Sequence, residues 1–516
     1  MEKISRTENS IRNIIAALTT QSLTILIGMV SRVVFIHTLG ETYLGISGLF
    51  SSVIAVLSLT NLGLGDATLY LLIKHFSKED WPKIRSSFEF AKKIYLFFVC
   101  IIIGAAVIMT PFIPMIVNLD RPLPHLYLYY YLFVLNTAFS YFSAPYNTLF
   151  QADQKIRTVT RGQFISIICI SIAQIISLSL GANYTIYLIL MILTNIIDFV
   201  YIRYKFRGTY PRLMEKKGNN SLAKEDRKEA IRITKDMFII KISYVLMDSI
   251  DNISISRIVG TITVGLYSNY LVITGAVRNL IKMFYQSVYS SFGELNMNST
   301  PKTKEYFFKI ETFGLYLLGS FSVTCILVLI QDFMTIWLGA NYLIDRTVVT
   351  LACIDLYLNV LMYAQENFVQ TSEVFKKTKY LTLLMAVLNL IFTIVLGIQL
   401  GLAGILLATI IARLVTMFIL RPIFIYRELF SSHIIHYYAS ILYYTFITFM
   451  EVCIVYGALH KINGDIWYQF LCKMFLTVFL TIIILGGMYY KNPSFTYLKS
   501  KMMELLKSQT KKFSGK

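Results

Sequence analysis

"LGETYLGISGLF", Leu39 to Phe50, has a counterpart about 220 residues further on: "VGTITVGLYSNY", Val259 to Tyr270. The alignment sets Gly40 on Gly260 and Gly45 on Gly265. At the same offset Ala144 and Asn147 fall on Ala364 and Asn367, and Leu180–Gly181 on Leu400–Gly401. Single identities between apolar stretches arise by chance. Their common order in two parts of one chain is the mark of an internal repeat.

The stretches between these matches are apolar. Of 516 residues, 56% are hydrophobic and only 15% charged, against about 25% charged in ordinary soluble domains. Apolar blocks of roughly 20 residues recur along the chain, each long enough to cross ~30 Å of hydrocarbon as a helix. The pattern predicts an all-α polytopic membrane protein with about fourteen transmembrane helices: 14–38, 43–72, 94–118, 126–149, 160–180, 184–202, 237–259, 262–288, 310–330, 348–369, 380–398, 403–421, 437–458 and 467–489. The first block lacks a small-residue cleavage site and reads as a retained helix. The organisation expected is a six-helix lobe (1–202), a cytosolic linker (203–236), a second six-helix lobe (237–436), two additional helices (437–490) and a basic cytosolic tail (491–516). Six helices per lobe make the pseudo-repeat parallel.

Lysine and arginine set the orientation. With a cytosolic N-terminus, 38 of the 48 fall in cytosolic segments, and only Arg121, Arg346 and Lys461 fall in outer loops. This is the positive-inside bias, and it puts both termini in the cytosol. The formal charge of +19 is thereby an orientation signal and not a nucleic-acid footprint. The six cysteines all lie in apolar blocks without CxxC spacing, which supports neither a disulfide framework nor a metal site. The linker reads as a flexible centre followed by an amphipathic surface helix, and the tail as a basic helix on anionic lipid.

Seven cations remain inside the blocks: Arg32, Lys241, Arg257, Arg278, Lys282, Arg413 and Lys473. The clearest anions are Asp248, Asp251, Asp355, Glu366 and Glu451. Such charges normally face a protein interior or a wet cavity. Lys241 and Arg257 lie within a turn of a helix end and can snorkel; Arg32 lies at a depth that fits snorkelling or burial. Arg278 and Arg413 lie near mid-span. Tyr270, Thr274, Arg278, Lys282 and Gln286 recur every four residues and form one polar stripe. Asp355, Asn359, Glu366 and Gln370 form another. Two readings follow. Asp248 or Asp251 pairs with Arg278 or Lys282 to hold two helices together, or the cations face a hydrated cleft and take an anion. Gly63 and Gly65 would let the second helix bend, or pack closely on a neighbour.

These features resemble the Wzx-type polysaccharide-biosynthesis flippases, in the superfamily that also holds the multidrug and toxin extrusion exporters and the lipid II flippases (MATE-like and MurJ-like folds). The stretches that carry the resemblance are "LGETYLGISGLF", "LTNLGLGDATLYLLIKHFSKED" from Leu59, "DSIDNISISRIVGTITVGLYSNYLVI" from Asp248 and "FMTIWLGANY" from Phe333. The resemblance implies a flippase that moves undecaprenyl-pyrophosphate-linked oligosaccharide repeat units from the inner to the outer leaflet of a bacterial cell membrane. It would work by alternating access, for capsule, exopolysaccharide or O-antigen assembly. It implies no cofactor beyond a coupling Na⁺ or H⁺. The partners implied are the lipid-linked oligosaccharide, membrane lipid, a polysaccharide polymerase and other assembly proteins. Arg32, Arg278, Lys282 and Arg413 are then the headgroup contacts. Asp248, Asp251, Asp355 and Glu366 are gating or ion-coupling residues, and Gly63 and Gly65 the flexing points. A cation-coupled multidrug exporter would be expected to carry an acid on the first helix, which has none. A membrane glycan polymerase or transferase would need an extended outer loop and an acid or nucleophile constellation, and neither is found, so the chain reads as no enzyme.

Overall fold

The computed structural model describes residues 6–58, 64–119, 123–214, 222–370, 372, 374–430, 432–462, 464–501 and 503. Within these, side chains are described except at 6–21, 64, 236, 237, 239, 240, 244, 248, 284, 286–298, 375 and 376. Among the described residues every regular element is helical. In chain order these are α1 (Arg6–Leu39), α2 (Glu41–Leu57), α3 (Leu64–Phe76), α4 (Trp81–Met109), α5 (Ile113–Ile116), α6 (Leu126–Ala152), α7 (Ile156–Ser179), α8 (Tyr184–Thr209), α9 (Lys224–Ser254), α10 (Thr261–Asn298), α11 (Pro301–Trp337), α12 (Arg346–Gln370), α13 (Val374–Arg413), α14 (Arg421–Leu429), α15 (Ile435–Leu459) and α16 (Ile466–Tyr489). Nine described stretches are long and apolar enough to cross a membrane, one of them the 53-residue run Lys377–Leu429; Glu41–Leu57 is a shorter apolar helix. This is a multi-pass membrane protein.

Local chemistry sets many of the ends. Asp80 accepts the backbone N–H of Lys83 ahead of Pro82, and Asn183 accepts that of Ile186, each capping the helix that follows. Thr300 caps α11 in the same way, with Pro301 in its first turn. Pro111 and Pro114 end α4 in a 3₁₀ turn and the short α5. The repeated glycines take matching conformations. Gly40 (φ 87°) and Gly260 (φ 136°) precede α2 and α10, and Gly181 (φ 84°) precedes α8. Gly401 (φ 59°) breaks α13 into the two spans expected there. These backbone conformations are open to glycine and costly for other residues.

The helices form two compact units, residues 1–268 and 269–516, divided within α10. In the first unit α2 and α3 pack on α6 and α9, and α8 packs on α6 and α7. Leu72, Ile84, Phe88, Leu149, Phe150, Ile202 and Phe206 form a core between α3, α4, α6 and α8. In the second unit α11 packs on α12, α15 and α16, and α12 on α13.

Three local features differ from the sequence reading. The second span is two helices, α2 and α3, with residues 59–63 between them outside those described. The charged second part of the linker is no separate surface helix, because it runs unbroken into the seventh span as α9. At 31 residues α9 is about 46 Å long, enough to cross the bilayer and project beyond it. Its projecting end is held to α3: Lys74 Nζ lies 3.1 Å from Asp226 and 2.7 Å from Glu229, while Ala230 packs on Ala67 and Leu71. Finally, the aligned glycines of the two repeats touch. A Cβ on Gly45 would lie 2.1 Å from the Thr261 carbonyl oxygen, and one on Gly265 would lie 2.9 Å from that of Glu41. Gly45→Ala is therefore expected to cost about 1–3 kcal/mol and to lower the melting temperature of the purified protein. Gly28→Ala, whose Cβ would meet nothing within 4 Å, should leave it unchanged.

Candidate functional site

Each unit carries its own set of polar groups within membrane-spanning helices. In the first, Arg32 on α1 is part-buried, and its guanidinium donates to the Ser268 hydroxyl. Ser268 in turn donates to the Gly265 carbonyl at 2.6 Å. Tyr187 is an electrostatic neighbour of Arg32. It belongs to an aromatic cluster in which Phe35 meets Tyr187 edge-on at 4.8 Å and Tyr184 lies 4.7 Å from Tyr43. Ser47 and Tyr184 share a hydrogen bond of 2.7 Å. The Tyr187 ring beside the guanidinium limits its contact with lipid.

Asp251 is part-buried beside Asn252, which donates to Ser52 at 2.9 Å. Gly63 and the side chain of Asp248 lie outside the described residues, and with Asp248 the ion pair expected between it and Arg278. Gly65 packs closely, since a Cβ there would be 3.0 Å from the Tyr95 hydroxyl. Lys241 is ion-paired to Asp66 of α3 rather than merely snorkelling. The side chain of Arg257 is exposed, and its carbonyl accepts from Asn118 at 3.4 Å. Arg257→Ala should reduce function less than twofold in a complementation assay, in contrast to the central arginines.

In the second unit, Asp355, Glu366 and Tyr363 lie on α12. Arg413 ends α13, immediately before a π-helical stretch, Leu414–Leu420. Such widened turns are frequent at functional sites. Arg413 is ion-paired to the Asp355 carboxylate, with side chains 8% and 25% exposed, and also donates to the Asp355 carbonyl at 3.0 Å. The guanidinium and carboxylate therefore neutralise each other across α12 and α13. Arg278 on α10 is half-buried. It and Arg413 are electrostatic neighbours of Tyr363, as is Glu366, and Tyr363 stacks on Tyr285 at 4.8 Å. Among the described residues Arg278 has no hydrogen-bond or ion-pair partner. Lys282, one turn on, is exposed. The polar stripe of α10 is thus divided in role. Tyr270 ties α10 to α11 by donating to Gln331 at 3.2 Å and accepting from the Ile344 N–H at 3.2 Å, whereas Arg278 and Lys282 carry charge.

Two embedded acids escaped the sequence reading. Asp198 on α8 is 7% exposed and interacts with Ser143 and Asn147 of α6. Glu311 on α11 accepts from Asn367 of α12. Both lie inside the expected spans, so a complete census of acids would have found them. Their amide and hydroxyl partners, on other helices, could not have been read from spacing.

A family model for "Polysaccharide biosynthesis protein" matches residues 10–295. A comparison with curated proteins finds no match. Among solved structures the chain is similar to the lipid II flippase MurJ in an inward closed conformation (TM-score 0.65, 14% identity, 92% of this chain and 99% of that one). It is also similar to an inward-facing multidrug resistance MATE family transporter of the MOP superfamily (TM-score 0.60, 14% identity, 80% and 98%). A third is a MOP superfamily transporter from Pyrococcus furiosus with a binding pocket of reverse polarity (TM-score 0.57, 13% identity, 79% and 91%).

Proposed function

The chain belongs to the polysaccharide biosynthesis protein family, and we propose that it is a flippase carrying a polyprenyl-pyrophosphate-linked oligosaccharide from the inner to the outer leaflet. The observation that carries this reading is Arg278, a half-buried guanidinium on α10, within a stretch the sequence reads as a span, with no carboxylate bonded to it among the described residues. A cation in hydrocarbon is costly. The chemistry that repays it is a doubly charged oxyanion, which a guanidinium binds through paired N–H donors. Arg413 adds a second guanidinium, held in place by Asp355, and exposed Lys282 a third cation. Arg32, with its hydroxyl partner, supplies the cation of the first unit. The prenyl chain needs no protein site, since it can remain in lipid.

The positive-inside distribution of lysine and arginine supports cytosolic termini; a bacterial cell membrane location is what the resemblance to Wzx-type flippases implies. Asp355 and Glu366 are the acids placed to exchange partners as the cargo arrives, with Asp251 in the first unit as a further gating residue. The chain should therefore be depleted in its host and the extracted polyprenyl-pyrophosphate saccharides profiled by mass spectrometry. A complete repeat unit should accumulate and disappear when the wild-type gene is restored. A truncated saccharide would indicate a transferase step instead, and an unchanged lipid pool would favour a multidrug exporter.

A further inference from the structure

Glu451 is absent from the site above, yet among the described residues it is the most deeply buried acid of the second unit's membrane helices, with 0% exposure. It sits on α15, eight residues before the helix ends. Among the described residues no cation is paired with it. The one lysine of α16, Lys473, is committed to Asp332 at 2.8 Å. Instead, hydroxyls approach it from three helices: Ser320 and Thr324 (i, i+4) on α11, Thr448 on its own helix, and Thr481 on α16, with Thr477 one turn from Thr481. Ser320 donates to Glu451 Oε2, and Thr448 donates to Ser320 at 2.9 Å. Thr324 and Thr481 lie beside the carboxyl, beyond direct hydrogen-bonding distance. Even so, Glu451 Oε1 and the hydroxyls of Thr324, Thr477 and Thr481 lie buried without a hydrogen-bond partner within bonding distance.

That concentration of unfilled oxygen needs an explanation, because each such group costs about 1–3 kcal/mol and an unneutralised carboxylate far more. A proton would cancel the charge but leave most of the hydroxyl oxygens unfilled. A divalent ion would ask for more acids, and among the described residues no group of three acidic, histidine or cysteine side chains exists. One carboxylate with several hydroxyl oxygens has the charge and hardness for a single monovalent cation. We propose that Glu451, Ser320, Thr324 and Thr481 form a sodium-binding site that joins α15 and α16 to α11. On one side the site is closed by an apolar cluster of Val328, Val455 and Leu459. On the other stand the buried phenols of Tyr316 and Tyr489, hydrogen-bonded at 3.2 Å.

The site is independent of the lipid cargo, so its test separates from that of the flippase reading. Binding of radioactive sodium to the purified full-length protein in detergent should saturate at one ion per chain. Glu451→Gln should weaken binding roughly tenfold or more, the value of a charge-assisted contact. Thr481→Val and Ser320→Ala should weaken it less, and Arg257→Ala not at all. If wild-type protein binds no sodium above background, or Glu451→Gln binds as wild type does, the proposal is overturned. Should Glu451→Gln fail to accumulate, Thr481→Val decides: unaltered sodium affinity in that shape-conserving variant also overturns it.

Discussion

Arg278→Ala is expected to abolish delivery of the saccharide to the outer leaflet while leaving the amount of protein in the membrane unchanged. The two halves of this expectation have separate causes. Arg278 is half-buried without a described ion pair, so its removal orphans no carboxylate known to depend on it and relieves the cost of embedding a charge. Loss of one bidentate guanidinium–phosphate contact costs about 1.5–3 kcal/mol, roughly ten- to more than a hundredfold in affinity for the headgroup. Quantitative blotting of membranes beside a surface-polysaccharide assay checks both. Arg278→Lys should recover part of the activity, since it restores charge without the paired donors. Normal polysaccharide in Arg278→Ala would remove Arg278 from the headgroup site.

Arg413→Ala is expected to do two things at once. Its guanidinium is 8% exposed and bound to Asp355, so truncation leaves a carboxylate stranded, with a penalty of about 3–5 kcal/mol. Protein abundance should fall along with transport. The double variant Arg413→Ala/Asp355→Ala removes both charges and should regain much of the abundance, as a coupled pair does in a double-mutant cycle. Transport should nevertheless stay lost, because the second guanidinium of the site is gone. If the double variant transports normally, the pair serves only to hold α12 to α13.

The all-helical, multi-pass character was legible because long apolar blocks admit few alternatives in a bilayer. So were the turns: Gly40 and Gly260, and Gly181 and Gly401, were aligned as a repeat and share positive φ. The break between α2 and α3 was less legible, since "LTNLGLGDATLYLL" reads equally as one flexed helix. The start of α9 misled for a different reason. Its charges looked like a solvated face, while their partner Lys74 lies 152 residues away from Asp226. The central cations were found from depth alone, but not their surroundings. Asp355 was a candidate for gating, and nothing in the spacing marked it as the partner of Arg413. The hydroxyls around Glu451 are invisible to a census of charges, because serine and threonine are ordinary residues in membrane helices. Pairwise recognition across helices depends on register and rotation, which a single sequence does not display.

The central claim is movement of a lipid-linked saccharide between leaflets, and reconstitution addresses it most directly. The purified protein would be placed in liposomes containing a polyprenyl-pyrophosphate oligosaccharide, and a membrane-impermeant sugar-modifying enzyme added outside. Without protein, only the outer-leaflet pool, about half, should react. With wild-type protein the reactive fraction should rise towards completion, whereas Arg278→Ala should remain at the protein-free level. A reactive fraction that stays at about half with correctly folded wild-type protein, under both an imposed ion gradient and none, would contradict the account.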